Sequence, residues 1–255
     1  MDIFFAPPEF CFINERRILL DEDESRHAVD VLRKKVGDEI ICTNGRGSRF
    51  YCTIEEIRKH SLSASIVQIE EEPENTTKVS IAMSTLRVPD RFEFFLEKVT
   101  ELGVTEIIPM LLERSVSRPK ESKQQGKHER WERLIISAGK QSRRFHFPRL
   151  HPLTTLSQAI EMSQLADHRL FFDENHEGTS LLPQSFTNQH TFFIIGGEGG
   201  FSVEERSQIL NSGFAPISLG KEILRAETAG IFAASLAKAS ELMSLHNPEI
   251  HRRHD

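Results

Sequence analysis

The chain predicts an α/β protein, a parallel sheet with helices on its faces, preceded by a small β-rich domain. Three observations carry this. Residues 1–72 hold short apolar or alternating runs punctuated by turn residues. From residue 78 onward, apolar strands alternate with longer helical patterns, the rhythm of a parallel sheet. Near the C-terminus, residues 194–202 and 218–229 each read as an apolar strand, a glycine-bearing turn and a helix.

Taken in order, residues 39–43, 50–54 and 63–69 read as strands, with Asn44-Gly45-Arg46-Gly47 as a turn between the first two. Between residues 24 and 35, Ala28, Val31 and Leu32 recur at helical spacing, and Gly37 would end that helix. A small barrel carrying one helix accommodates these pieces. Residues 70–77 are acidic, contain Pro73 and lack periodicity. They mark a linker at 73–77 between domains at 1–72 and 78–247, with a tail at 248–255. Beyond the linker, strands are predicted at 78–83, 105–109, 169–172, 191–195 and 217–219. Helices are predicted at 91–102, capped by Gly103, at 129–144, at 203–210, ending near Gly213, and at 227–244. The last helix carries Ala229, Gly230, Ala233, Ala234, Ser235, Ala237 and Ala239. Such small residues suit either tight packing within one subunit or a subunit interface.

Composition excludes several classes. The 38% hydrophobic and 27% charged content is that of a globular protein, not a disordered or fibrous one. No apolar run approaches the length that spans a bilayer. The first eight residues lack a basic segment before an apolar one, so a signal peptide is not expected and a cytoplasmic location is. Cys11, Cys42 and Cys52 are odd in number and show no CxxC spacing. They fit neither a disulfide framework nor a zinc site and read as reduced packing residues. Eleven histidines without ligand spacing do not make a metal site. The net charge of -6 is unevenly spread: residues 114–149 hold eleven Lys/Arg against three Asp/Glu. A basic block on an acidic protein is the electrostatic footprint of a phosphate backbone. A solvated helix face with a basic loop is the plainer alternative.

Ligands of open α/β sheets bind beyond the carboxyl ends of strands. Gly196-Gly197-Glu198-Gly199-Gly200 and the turn at 219–225 occupy that position. Four glycines in one turn indicate left-handed dihedrals or a close approach of backbone to a ligand. The turn has neither GxGxxG nor GxxxxGK[ST] spacing, which disfavours a nucleoside triphosphate. The second turn is apolar and then basic, which suits a flat ring with an anion nearby. Glu198 reads equally as a helix cap, a ligand contact or a base. Arg225 sits where an arginine has little packing use, and Glu227 begins a helix, where a carboxylate is favoured. Arg143 and Arg144 precede Phe145, His146 and Phe147, a pattern for phosphate contacts with base stacking, or for cations at a helix C-terminus. His27 reads as structural.

Several segments together resemble one family: His27-x-x-x-Val31-Leu32-Arg33, the run Glu97-Lys98-Val99-Thr100-Glu101-Leu102-Gly103-Val104, and Arg130-Trp131 leading to Gln141-Ser142-x-Arg144. The glycine turn and Leu219-Gly220-x-x-Ile223-Leu224-Arg225-x-Glu227-Thr228-Ala229 complete the set. This pattern resembles the RsmE family of bacterial 16S ribosomal RNA uracil-N3 methyltransferases. The resemblance implies a SPOUT methyltransferase domain with a C-terminal trefoil knot, a PUA-like N-terminal barrel that helps hold RNA, and a homodimer acting on 16S RNA or the small ribosomal subunit. It implies S-adenosylmethionine as cofactor, cradled by Phe172, Ile195, Gly196, Gly199, Gly200, Leu219, Gly220, Ile223 and Leu224. No metal is implied, because the sulfonium already activates the methyl. Arg225 and Glu198 become the catalytic candidates, with Arg33, Arg114, Arg118, Arg143 and Arg144 as RNA contacts. A SPOUT enzyme on another RNA and a non-catalytic RNA-binding protein are the alternatives. Two positions depart from the family. Gly197 stands where proline is usual, which removes a preset dihedral, and Lys140 stands where glutamate is usual.

Overall fold

The computed structural model describes residues 2–115, 121–173, 176, 182–183, 185–218 and 223–246. Packing divides the chain into two units: residues 1–74 with 136–147, and residues 75–135 with 148–255.

In the first unit, short alternating runs form β1 (Ile3–Phe5), β2 (Cys11–Phe12), β3 (Arg17–Leu20), β4 (Glu39–Thr43), β5 (Ser48–Ile57) and β6 (Leu62–Glu71), with α1 (Glu22–Arg26) after β3. They make one sheet in the order β1-β4-β5-β6-β3-β2. Its first pair is parallel and the rest antiparallel. Register shifts at Tyr51/Cys52 and Ile54/Glu56 are the bulges that bend a long strand pair. Alternate residues point inward, so Phe4, Ile18, Leu20, Ile40, Phe50, Ile54 and Leu62 fill the core. All three cysteines are free, with Cys42 and Cys52 buried. Asp21 caps α1 by accepting from the Glu24 amide at 2.8 Å. The predicted helix ends earlier than its spacing suggested. A π turn at His27–Val31 follows α1, and Arg33 then turns left-handed at φ 57°. Widening the helix rotates Val31 away from the face that buries Ala28, and Val31 is exposed.

Residues 136–147 join this unit although the sequence pattern placed them in the second domain. The Phe147 ring fills a slot where a Cβ on Gly45 or Gly139 would overlap it. Phe5 stacks on Phe147 at 5.8 Å, and the Gly47 amide donates to the Phe145 carbonyl at 2.9 Å. Lys140, which departs from the family's glutamate, pairs with Glu24.

The second unit contains β7 (Lys78–Ser84), α2 (Pro89–Leu102), β8 (Glu106–Leu111), α3 (Glu121–Gln141), β9 (Arg149–Leu150), β10 (Thr154–Thr155) and α4 (Leu156–Met162). It continues with β11 (His168–Phe172), β12 (His190–Ile195), α5 (Val203–Asn211), β13 (Ala215–Ile217) and α6 (Ala226–His246). The last residues of α3, from 136, belong to the first unit. The sheet runs β10-β8-β7-β12-β11-β13, with β9 beside β8. Every pairing is parallel. Helices on both faces bury the central strands, so Ile81–Met83, Ile107 and Ile108, and 192–195 read as unbroken apolar runs. Strand β12 lies between β7 and β11 although β11 precedes it in the chain. From β7 the chain goes to β8 on one side, and from β12 it goes past β11 to β13 on the other. The pair β7/β12 is therefore the topological switch point of the sheet. Residues 219–222, which the expected trefoil knot would use, lie outside the described residues. No helix is long and apolar enough to cross a membrane, and no metal-holding cluster occurs among the described residues.

Candidate functional site at the glycine turn

The turn begins where β12 ends at Ile195, at the switch point. Gly200 takes φ 61°, a conformation glycine adopts at little cost, and its amide donates to the Gly197 carbonyl at 3.0 Å. Ser202 then caps α5 in a capping box: its hydroxyl accepts from the Glu205 amide at 3.2 Å, and Glu205 accepts from the Ser202 amide at 2.9 Å.

Two neighbouring loops hold the turn. At the end of β7, a Cβ on Gly197 would stand 3.1 Å from the Ser84 hydroxyl oxygen. After β8, a Cβ on Gly199 would stand 3.0 Å from Arg114 Cβ and 3.1 Å from its carbonyl. A Cβ at 199 would thus crowd the Arg114 main chain, and one at 197 the Ser84 hydroxyl. Ser84 and Ser115 hydroxyls lie 2.9 Å apart, and the Ser115 hydroxyl accepts from the Leu112 amide at 2.8 Å. Glu205 also accepts from the Glu113 amide at 2.6 Å, and Arg114 Nη1 donates to the Gly199 carbonyl at 3.4 Å. Both carboxylate oxygens of Glu198 face the Arg87 amide, at 3.2 and 3.3 Å.

Phe172, at the end of β11, stacks on Phe193 with 6.0 Å between ring centres and 9° between planes. The next residue, Asp173, is buried and accepts from Arg206 Nε at 2.8 Å, while its amide donates to the Ile217 carbonyl at the end of β13. After β13, Ile223 is 79% exposed and Leu224 37% exposed. The Arg225 carbonyl accepts the Ala229 amide at 2.9 Å, which opens α6, and its side chain is exposed. Glu227, in the first turn of α6, lies 3.7 Å from Arg91 of α2.

The structure therefore brings Glu198, Gly199 and Arg114 together. Arg33, Arg143 and Arg144 belong to the first unit. Leu219, Gly220 and Arg118 lie outside the described residues. Sequence reading missed Ser84, Arg87, Ser115 and Glu205. The spacing Ser202-x-x-Glu205 was a legible capping signal, whereas nothing in the sequence ties Ser84 or Arg87 to a turn more than a hundred residues later.

An all-parallel sheet with a braced glycine turn at its switch point has the architecture of an α/β domain that binds a ligand at the carboxyl ends of its strands. Residues 73–238 match the family model of the RNA methyltransferase domain, and residues 20–67 that of the RNA methyltransferase PUA domain. The ribosomal RNA small subunit methyltransferase E of Bacillus subtilis is 30% identical over 221 residues, covering 84% of this chain and 86% of its own. The enzyme of that name from Neisseria gonorrhoeae, solved with S-adenosylmethionine bound, superposes with a TM-score of 0.80 at 26% identity, over 94% of this chain and 97% of that one. A methyltransferase from Legionella pneumophila, solved with bound SAM, gives 0.81 at 28% identity over the same shares. The chain belongs to the family of ribosomal RNA small subunit methyltransferase E. The α/β fold with a PUA-like N-terminal unit and a SPOUT-like methyltransferase unit is the one the resemblance implied.

Proposed function

We propose that this chain transfers a methyl group from S-adenosylmethionine to N3 of a uridine in 16S ribosomal RNA, as a cytoplasmic homodimer acting on the small subunit or its RNA. The braced glycine turn at the β7/β12 switch point, in a chain of this family, carries the reading. The residues fit the cofactor. The turn offers main chain rather than side chains, and the exposed Ile223 and Leu224 offer apolar surface that an adenine would cover. Phe172, Ile195, Gly196, Gly199 and Gly200 are assigned to the same pocket, with Leu219 and Gly220. In this reading the C-terminal turns are threaded as a trefoil knot.

The bound cofactor supplies a methyl already activated by its sulfonium. The remaining difficulty lies in the acceptor. N3 of uracil carries a proton and is a poor nucleophile until that proton is lost. The exposed Arg225 guanidinium, beside the positive N-terminus of α6, is suited to hold the anion that develops on the base. Arg33, Arg143 and Arg144 in the first unit, with Arg114 and Arg118, are assigned to phosphate contacts. Phe232, Leu242 and Met243 are exposed on α6 and form the apolar face assigned to a second copy.

Mass spectrometry of 16S RNA nucleosides, from cells with and without the chain, tests the reaction. Arg225→Ala should lower methylation roughly a hundredfold or more, as removal of a preorganised anion donor does, while S-adenosylmethionine binding measured by calorimetry persists. Undiminished methylation by that variant would refute the role of Arg225.

A further inference from the structure

We propose that Glu198 is a positioning residue of the cofactor site: its carboxylate ties the glycine turn to the loop after β7 and does not take the N3 proton. The inference rests on the function proposed above and deepens it. Its ground is the contact with the Arg87 amide, which both carboxylate oxygens share at 3.2 and 3.3 Å. The amide is shared between two oxygens at the long end of hydrogen-bond range, and the charge on the acceptor strengthens that contact over a neutral one. Arg87 immediately precedes Val88, the N-cap of the 14-residue helix α2, so the carboxylate also sits beside that helix's positive end.

The tie matters because of what surrounds it. Gly197 presses on Ser84, Gly199 presses on Arg114, and Glu205 takes the Glu113 amide. Those contacts hold the turn by packing and from its far end. Glu198 is the side chain of the turn itself that reaches across to β7's loop. Gly197, in the place of the family's usual proline, has no ring to preset its backbone. The Glu198–Arg87 bond then adds to the packing and to the Arg114–Gly199 bond in ordering the turn. Main-chain groups at 195–200 bind a cofactor only if they are held in place, so the bond acts on cofactor affinity rather than on the chemical step.

Three substitutions separate this from a proton-accepting role. Glutamine keeps a carbonyl oxygen at the same reach, aspartate keeps a carboxylate one methylene too short, and alanine keeps neither. Titration of S-adenosylmethionine into each variant, checked for folding by circular dichroism, is paired with single-turnover methylation of 16S RNA across pH. Positioning predicts severalfold weaker binding for Glu198→Gln, which keeps an acceptor and loses the charge, and roughly ten- to hundredfold weaker binding for both Glu198→Asp and Glu198→Ala. Turnover at saturating cofactor should stay within about threefold in all three, with the shape of the pH profile retained. The reverse order, with Glu198→Asp partly active and Glu198→Gln dead at unchanged affinity, would overturn the inference and make Glu198 the base. A parent chain that binds no S-adenosylmethionine would instead overturn the function beneath it.

Discussion

Three arginines of the first unit, Arg16, Arg33 and Arg143, adopt left-handed backbone at φ 50°, 57° and 56°. An L-residue there costs about 1 kcal/mol that glycine avoids, so each needs a reason. Arg16 has a structural one: its guanidinium donates to the Ile66 and Val67 carbonyls at 2.8 Å each. Arg143 ends α3 as a glycine would, with the Arg144 amide returning to the Gly139 carbonyl at 3.0 Å. Its own carbonyl accepts from Arg49, whose guanidinium lies 3.8 Å above the Phe145 ring. Those bonds use its main chain and leave its exposed side chain for another task. Arg143→Gly should therefore raise stability to urea by about 0.5–1 kcal/mol. It should also weaken RNA binding and lower the salt slope by about one. Filter binding at several salt concentrations decides: an unchanged slope would leave Arg143 as a helix stop and nothing more.

Helix α6 shows the same competition between local preference and packing. Of its small residues, Ala229, Ala233, Ala234 and Ala237 are buried and pack within their own unit, whereas Ser235 is half-buried and Ala239 exposed. A Cβ on Gly230 would stand 2.5 Å from a Phe95 ring carbon of α2. Alanine is the better helix former by about 1 kcal/mol, yet overpacking costs about 1–3 kcal/mol. Gly230→Ala should thus lower the melting temperature, and Phe95→Leu in the same chain should recover part of the loss. A rise in melting temperature would mean that Phe95 yields freely. Elements of this kind were legible where pattern and length agreed. Strands β7, β8 and β12 carry apolar runs at 81–83, 107–108 and 192–195, and α2 stops at Gly103, which is left-handed at φ 89°. Helix α4 escaped notice although Thr155 and Gln158 form a capping box. Strands β1 to β3 are two to four residues long and exist only through distant partners. The pairing of Lys78 with His190 joins residues that no local periodicity relates. The glycine turn after β12 was legible in the sequence, but its bracing by Ser84 and Arg114 was not.

Across the whole molecule, the carboxyl ends of the parallel strands carry the glycine turn, and the amino ends of the same strands carry a titrating network. There the Ser80 hydroxyl donates to Glu106 at 2.9 Å and lies 2.8 Å from His190 Nε2. The His151 imidazole beside Glu106, helped by Ser80, holds its carboxyl down at about 2. Burial pulls His190 below its usual value. Both folded values lie under the unfolded ones, so the unfolded chain takes up protons first. Stability is lost as pH falls below about 6.5 through His190, then from about 4.5 towards 2 through Glu106. The first unit behaves oppositely. Burial pushes the Cys11 thiol up to about 11, and a hydrogen bond with Cys52 followed by burial raises Cys42. Its stability is fully present below pH 9 and declines as pH rises through that range. Urea titrations read by hydrogen exchange should find the second unit yielding first in acid and the first unit in alkali. Glu106→Gln should flatten the acid slope between pH 4.5 and 2 and leave S-adenosylmethionine affinity at pH 7 intact, because the network sits at the strand ends opposite the glycine turn. An acid slope equal to the parent's would show that the lability arises elsewhere. A lost cofactor affinity would show that the two ends of the sheet are coupled.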